Sequence, residues 1–145
     1  MELVPATQLA VAIEHEYATL EEFCALLATE QNLLLSGKTS PLIPLAEEKT
    51  RLAERLLQHS TLRQELAHGL PSLPPELTQR LTSLRSRASE AERTNSTNGE
   101  LIQIRLRHNL QALNILQQAS HTAALYGPNG LTQISGQNGR TLAQG

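Results

Sequence analysis

The sequence predicts an all-α protein, an elongated, antiparallel, coiled-coil-like three-helix bundle with a long third helix and a Gly-rich C-terminal tail. Three observations predict it. Aromatic residues are nearly absent from the 145-residue chain, limited to Tyr17, Phe23 and Tyr126, while Leu, Ala, Gln, Glu and Arg, the vocabulary of long helices, dominate. Apolar residues recur at three- and four-residue spacings rather than alternating. Prolines cluster between such runs and stop them. The organisation implied is a bundle over residues 1–120, with helices at about 6–36, 42–69 and 75–120, and a flexible or weakly β-hairpin tail over 121–145.

The first helix carries Ile13, Leu20, Leu27 and Leu34 every seven residues, with Leu9, Tyr17, Phe23 and Cys24 on the same side. Gly37 follows as a C′ residue that stops it. The second helix begins at Pro41–Pro44, because proline is tolerated only in a first turn. Its apolar face is Leu45, Leu52, Leu56 and Leu66. Glu47, Glu48, Lys49, Arg51, Glu54 and Arg55 read as mostly solvated surface, with Glu47 and Arg51 at i,i+4 spacing. Gly69 and Pro71, Pro74 and Pro75 end this helix.

The third helix has the most regular register: Leu77, Leu81, Leu84, Ala88, Ala91, Asn95, Asn98, Ile102, Arg105, Asn109, Ala112 and Leu116. Steps of four and three alternate throughout, which argues for one helix running through Asn98-Gly99 despite a glycine cost of about 1 kcal/mol. The rival reading breaks at Thr94–Gly99 and folds a fourth helix back. In the continuous reading Asn95, Asn98 and Asn109 sit at seam positions, where a buried Asn fixes register. That helix would be about 65–70 Å long against about 40–45 Å for the other two, so it should protrude. After Ser120 the composition turns to Gly, Asn, Gln and Thr. Gly127-Pro128-Asn129-Gly130 is a turn signal between Leu125-Tyr126 and the pair Leu131 and Ile134.

Several function classes find no support. Net charge is −2 with no basic block, so nucleic acid is not an expected partner. A single cysteine, Cys24, excludes an internal disulfide, and a buried inert thiol is its ordinary reading. No segment approaches the roughly 20 apolar residues of a membrane span, and the N-terminus lacks a signal-peptide pattern; a cytoplasmic location is expected. Glu65-x-x-His68 matches the helical di-iron pattern, but that site needs two such motifs and further carboxylates. Glu14-His15-Glu16 are adjacent, do not share a helical face, and read as surface. No catalytic constellation emerges.

The sharper signal is apolar surplus. Leu101, Ile102, Leu106, Leu110, Ala112, Leu113 and Leu116 fill one face, while Ile104 and Ile115 point to the opposite side. A protruding helix with two apolar faces calls for a partner. Val11, Leu26 and Leu33 form a thinner second stripe on the first helix. A homo-oligomeric structural or adaptor protein, in which the surplus face is a homodimer seam, is the alternative.

The same residues carry a resemblance. Asn95-x-x-Asn98-Gly99-x-Leu101-Ile102, Arg107-x-Asn109-x-x-Ala112-Leu113-x-Ile115-Leu116 and Leu125-Tyr126-Gly127-x-x-Gly130 resemble the FlgN family of bacterial flagellar export chaperones, as does Glu47-Glu48-Lys49 followed by Leu52 and Leu56. The resemblance implies a flagellar type III secretion chaperone that binds the C-terminal, disordered, amphipathic segments of the hook-associated (hook–filament junction) proteins. It would keep them from premature assembly and deliver them to the cytoplasmic platform of the membrane export gate. It also implies substrate binding by the C-terminal part, here Leu101, Ile102, Ile104, Leu106, Leu110, Leu113, Ile115 and Leu116. Docking to the gate would fall to Tyr126, and no cofactor or metal is implied.

Overall fold

The computed structural model describes the backbone of residues 4–107 and 110–128 and the side chains of 4–107 and 115–128. Four helices form: α1 (Pro5–Ser36), α2 (Leu42–His68), α3 (Pro75–Leu106) and α4 (Leu110–Ala124), with no strand among the described residues. Pro5 and Pro75 sit in the first turns of α1 and α3, where their fixed φ suits a helix start and a missing N–H costs nothing. Gly37 closes α1 in the left-handed conformation at φ 75°. Its N–H donates to the Leu34 carbonyl (3.3 Å) and the Lys38 N–H to the Leu33 carbonyl (3.0 Å), the two bonds of a Schellman cap.

Pairwise contacts fix the topology. Glu16 meets Arg63 and Glu30 meets Lys49, so α1 and α2 run antiparallel. Glu21 meets Arg87, and the Leu34 carbonyl meets Arg105, so α1 and α3 run parallel. Asn95 bonds the Ser120 carbonyl, so α4 returns antiparallel to α3. α1 lies against α2 and α3, and α4 lies against the same two from the far side. The result is an up-down-up-down bundle of four helices rather than three.

The long protruding third helix is therefore corrected. α3 and α1 have 32 residues each, about 48 Å by the helical rise, and they end together. The continuity through Gly99 holds, but the chain reverses between Leu106 and Leu110, not at Thr94–Gly99. α4 then occupies residues up to Ala124 that composition assigned partly to a tail. The physical reason is burial: the fold-back covers Leu116, Ala119, Ala123 and Tyr126, which a protruding helix would leave in water. The pairing of Leu131 and Ile134 in a hairpin lies outside the described residues, as does Asn109.

The α3 register reads as expected from Leu77 to Ile102, every position of it buried. It then shifts, with Leu106 entering the core and Arg105 turning outward to donate to the Leu34 and Leu35 carbonyls (2.9 and 3.2 Å). That guanidinium gives the Leu34 carbonyl a second donor besides Gly37 and supplies one to the Leu35 carbonyl at the end of α1. Two core clusters result. The larger is centred on Leu20, Phe23, Leu27, Leu56 and Leu84. A smaller one, at the end where α3 turns into α4, joins Leu34, Leu42, Ala46, Ile102, Leu106, Leu116 and Ala119.

Gly99 lies mid-helix with nothing within 4 Å of the place a Cβ would take. Gly99→Ala is expected to stabilise the protein by about 1 kcal/mol, the helix-propensity difference, seen as a raised urea midpoint with an unchanged slope.

Candidate functional site

The interior of the bundle is polar where all four helices meet. Lys49 of α2 is fully buried and donates to both Glu30 oxygens (2.9 and 3.2 Å) and to the Ser120 hydroxyl of α4 (3.4 Å). Asn98 of α3 donates to the Leu27 carbonyl and to Glu30 Oε1, both at 2.9 Å. Asn95, one turn earlier, donates to the Ser120 carbonyl at 3.3 Å. Each helix thus supplies at least one member of a single buried network. Burial holds the Lys49 ammonium below the usual lysine value, and the charge and hydrogen bond of Glu30 oppose the shift. Asn95 Oδ1 and Asn98 Oδ1 are buried without a hydrogen-bond partner.

A second buried cluster lies farther along α1. Glu16 accepts from Arg63 Nε (2.7 Å) and Nη2 (3.4 Å), and from the Tyr126 hydroxyl (2.9 Å). Arg63 also reaches the Ser60 hydroxyl at 3.2 Å. Burial, then the charge of Glu16 and its hydrogen bond, push the Tyr126 phenol far above its ordinary value. Nearby, Thr19 and His59 pair at 3.2 Å.

These contacts correct three readings. Lys49 is interior, not solvated, because Glu30 and Ser120 give its charge a complete set of partners. Glu16 is interior for the same reason, its partners being Arg63 and Tyr126, while Glu14 and His15 beside it are exposed. Tyr126 is not an isolated ring in a tail: it is 4% exposed and packs into the larger core cluster. Asn95 and Asn98 are buried at the seam, as their spacing predicts.

The residues read from sequence as a binding surface divide. Ile102, Leu106 and Leu116 face inward, and Leu101 is half-buried against the same cluster. Ile104 and Ile115 are outside, 60% and 43% exposed. The side chains of Leu110 and Leu113 lie outside the described residues. The antiparallel order brings the C-terminal end of α1 and the start of α2 to this same end, and there Leu35 and Ile43 are also exposed. Those two were missed because they flank the α1–α2 connection, where an exposed apolar residue carries no periodic signal. Glu65 and His68 are exposed on α2. No helix is long and apolar enough to cross a membrane, and no cluster of metal-ligating side chains occurs, among the described residues.

An all-helical bundle whose polar interior is spent on joining helices, with apolar side chains such as Leu35, Ile43, Ile104 and Ile115 left outside, has the make-up of a protein that works by binding. The FlgN protein family matches residues 1–134, and the chain belongs to that family. It is 28% identical over 142 residues to the flagella synthesis protein FlgN of Yersinia enterocolitica serotype O:8 / biotype 1B (strain NCTC 13174 / 8081), covering 93% of this chain and 96% of that one. A second flagella synthesis protein FlgN from Yersinia enterocolitica is 30% identical over 130 residues, covering 85% of this chain and 88% of the other. No solved structure matches. FlgN proteins are a flagellar export chaperone family and not enzymes, so the role of this chain lies in flagellum assembly.

Proposed function

We propose that this chain is a cytoplasmic flagellar type III secretion chaperone. It binds the C-terminal segments of hook–filament junction proteins, prevents their premature assembly and carries them to the cytoplasmic platform of the export gate. The observation that carries this reading is the α3–α4 hairpin, within the matched family region, with apolar residues on both sides: Ile102, Leu106 and Leu116 within, Ile104 and Ile115 without. An amphipathic segment that folds on binding loses ordering entropy and needs continuous apolar contact at i, i+3, i+4 and i+7 positions to offset it. Leu101, Leu110 and Leu113 extend the same set along the chain. Tyr126 is the residue proposed to dock at the gate, and its burial against Glu16 means that docking requires the ring to come out.

Ile104→Glu and Ile115→Glu test the outer part of this surface without touching the core. Each is expected to weaken binding of a synthetic C-terminal peptide of a hook–filament junction protein about tenfold, or about 1.4 kcal/mol, with helicity and Tm unchanged. Wild-type affinity in both variants, measured by titration calorimetry, would remove these two residues from the binding surface.

A further inference from the structure

Along its described side chains, α4 is held against α2 and α3 by a mixture of apolar and polar contacts. From Ile115 onward, the apolar side chains that it and the following turn bury are Leu116, Ala119, Ala123 and Tyr126, two of them alanines. Among the described residues, the side-chain hydrogen bonds that tie it and the following turn to the other helices are Ser120 to Lys49 and Asn95, and Tyr126 to Glu16. An open crevice of about 220 Å³ runs along the surface between α3 and α4, lined by Ser96, Gly99, Gln103, Gln117, Ser120 and His121 among others. Asn95, whose amide faces α4, and Asn98 next to it each keep a buried oxygen with no donor. Such orphans are rare in proteins because each costs free energy. The Asn95 amide group lies against α4, while the Asn98 amide donates to α1.

We propose that the groove formed by α1, α2 and α3 is an exchangeable helix seat, which α4 fills in the free protein and an amphipathic helix of the secreted partner fills in its place. α4 shows what the seat accepts: Leu116, Ala119, Ser120 and Ala123, at i, i+3, i+4 and i+7. A preferred occupant has that pattern of apolar and small residues, plus a side-chain amide or hydroxyl that donates to Asn95 Oδ1 or Asn98 Oδ1. Displacing α4 uncovers Ile102 and Leu106, which are otherwise closed to any partner, and pulls Tyr126 from Glu16. The Tyr126–Glu16 hydrogen bond is then a latch, setting how often the seat is open. The identity of the partner rests on the chaperone reading above; the mobility of α4 does not.

Hydrogen exchange on the full chain tests the mobility alone. Amides of residues 116–124 are expected to exchange about 100-fold faster than those of Leu20–Leu27, as a locally opening segment does. In Tyr126→Phe they are expected to exchange about tenfold faster still, with α1 unchanged, and equal protection of α4 and α1 would overturn the proposal. Affinity tests the exchange. Because apparent affinity scales with the open fraction, Tyr126→Phe is expected to bind the junction-protein peptide up to about tenfold more tightly. An oxidised Ala91→Cys/Ala123→Cys protein, linking α3 to α4 within the larger core cluster in a Cys24→Ser background, is expected to lose binding and recover it on reduction. Full binding by the locked protein would overturn the exchange while leaving the chaperone reading intact. A wild-type chain that binds no such peptide yet shows a fast-exchanging α4 would instead sink the chaperone reading.

Discussion

Lys49→Met is expected to destabilise the protein by about 3–5 kcal/mol, the cost of leaving a buried charge without its partner. Glu30 is as deeply buried as Lys49, and the only other donor to its carboxylate among the described contacts is the Asn98 amide. Against a typical total stability of about 5–15 kcal/mol, that is a large share. Chemical denaturation followed by far-UV circular dichroism reads it directly. The paired change Glu30→Met/Lys49→Met is expected to restore most of the loss, since apolar replacements of a whole buried ion pair are often neutral or stabilising by about 1–4 kcal/mol. The depressed Lys49 ammonium points the same way: burial is the largest influence on it, and Glu30 only partly offsets that. A single-variant loss below about 1 kcal/mol, the range of exposed pairs, would show that water reaches this site.

Glu16→Ala is expected to cost a similar amount, about 3–5 kcal/mol, because Arg63 and the Tyr126 hydroxyl both lose their acceptor. Here pH adds a second reading. The Tyr126 phenol is raised above its ordinary 10.0 by burial first and by Glu16 second. Between that value and the folded one, the unfolded chain binds fewer protons than the folded chain, so stability falls as pH rises. The contribution of Tyr126 is complete below pH 10.0 and lost above it. Wild-type protein is expected to lose stability above that pH more steeply than Tyr126→Phe. Identical slopes in the two proteins would mean that the phenol is not buried against Glu16.

Much of the scaffold is legible in the chain. Pro5 and Pro75 mark helix starts, Gly37 marks a helix end, and the steps from Leu77 to Ile102 identify the buried face of α3 residue by residue. The reversal after Leu106 was not read, because Arg105, Asn109, Ala112 and Leu116 continue the same spacing without a proline or glycine to interrupt it. Of the polar interior, only Asn95 and Asn98 are legible from their spacing. Lys49 shares the four-and-three steps of Leu45, Leu52 and Leu56, unlike the neighbouring Glu48, which pairs with Arg51 at the surface, but its spacing does not reveal Glu30 or Ser120 as the partners that let a charge stay there.

Sequence by itself determined the all-helical class, the first three helix starts, Asn95 and Asn98 at the seam, and the family. Those depend on signals that act within a turn or two: a fixed proline φ, a left-handed glycine, an apolar period. Tertiary structure alone decided which way the C-terminal segment runs and which charges go inside. Those outcomes depend on partners 47, 71 and 110 residues apart, from Glu16 to Arg63, Lys49 to Ser120 and Glu16 to Tyr126. A charge enters the core only when the fold brings it a partner of opposite sign or a hydrogen bond, and spacing along one helix carries no record of what another will supply.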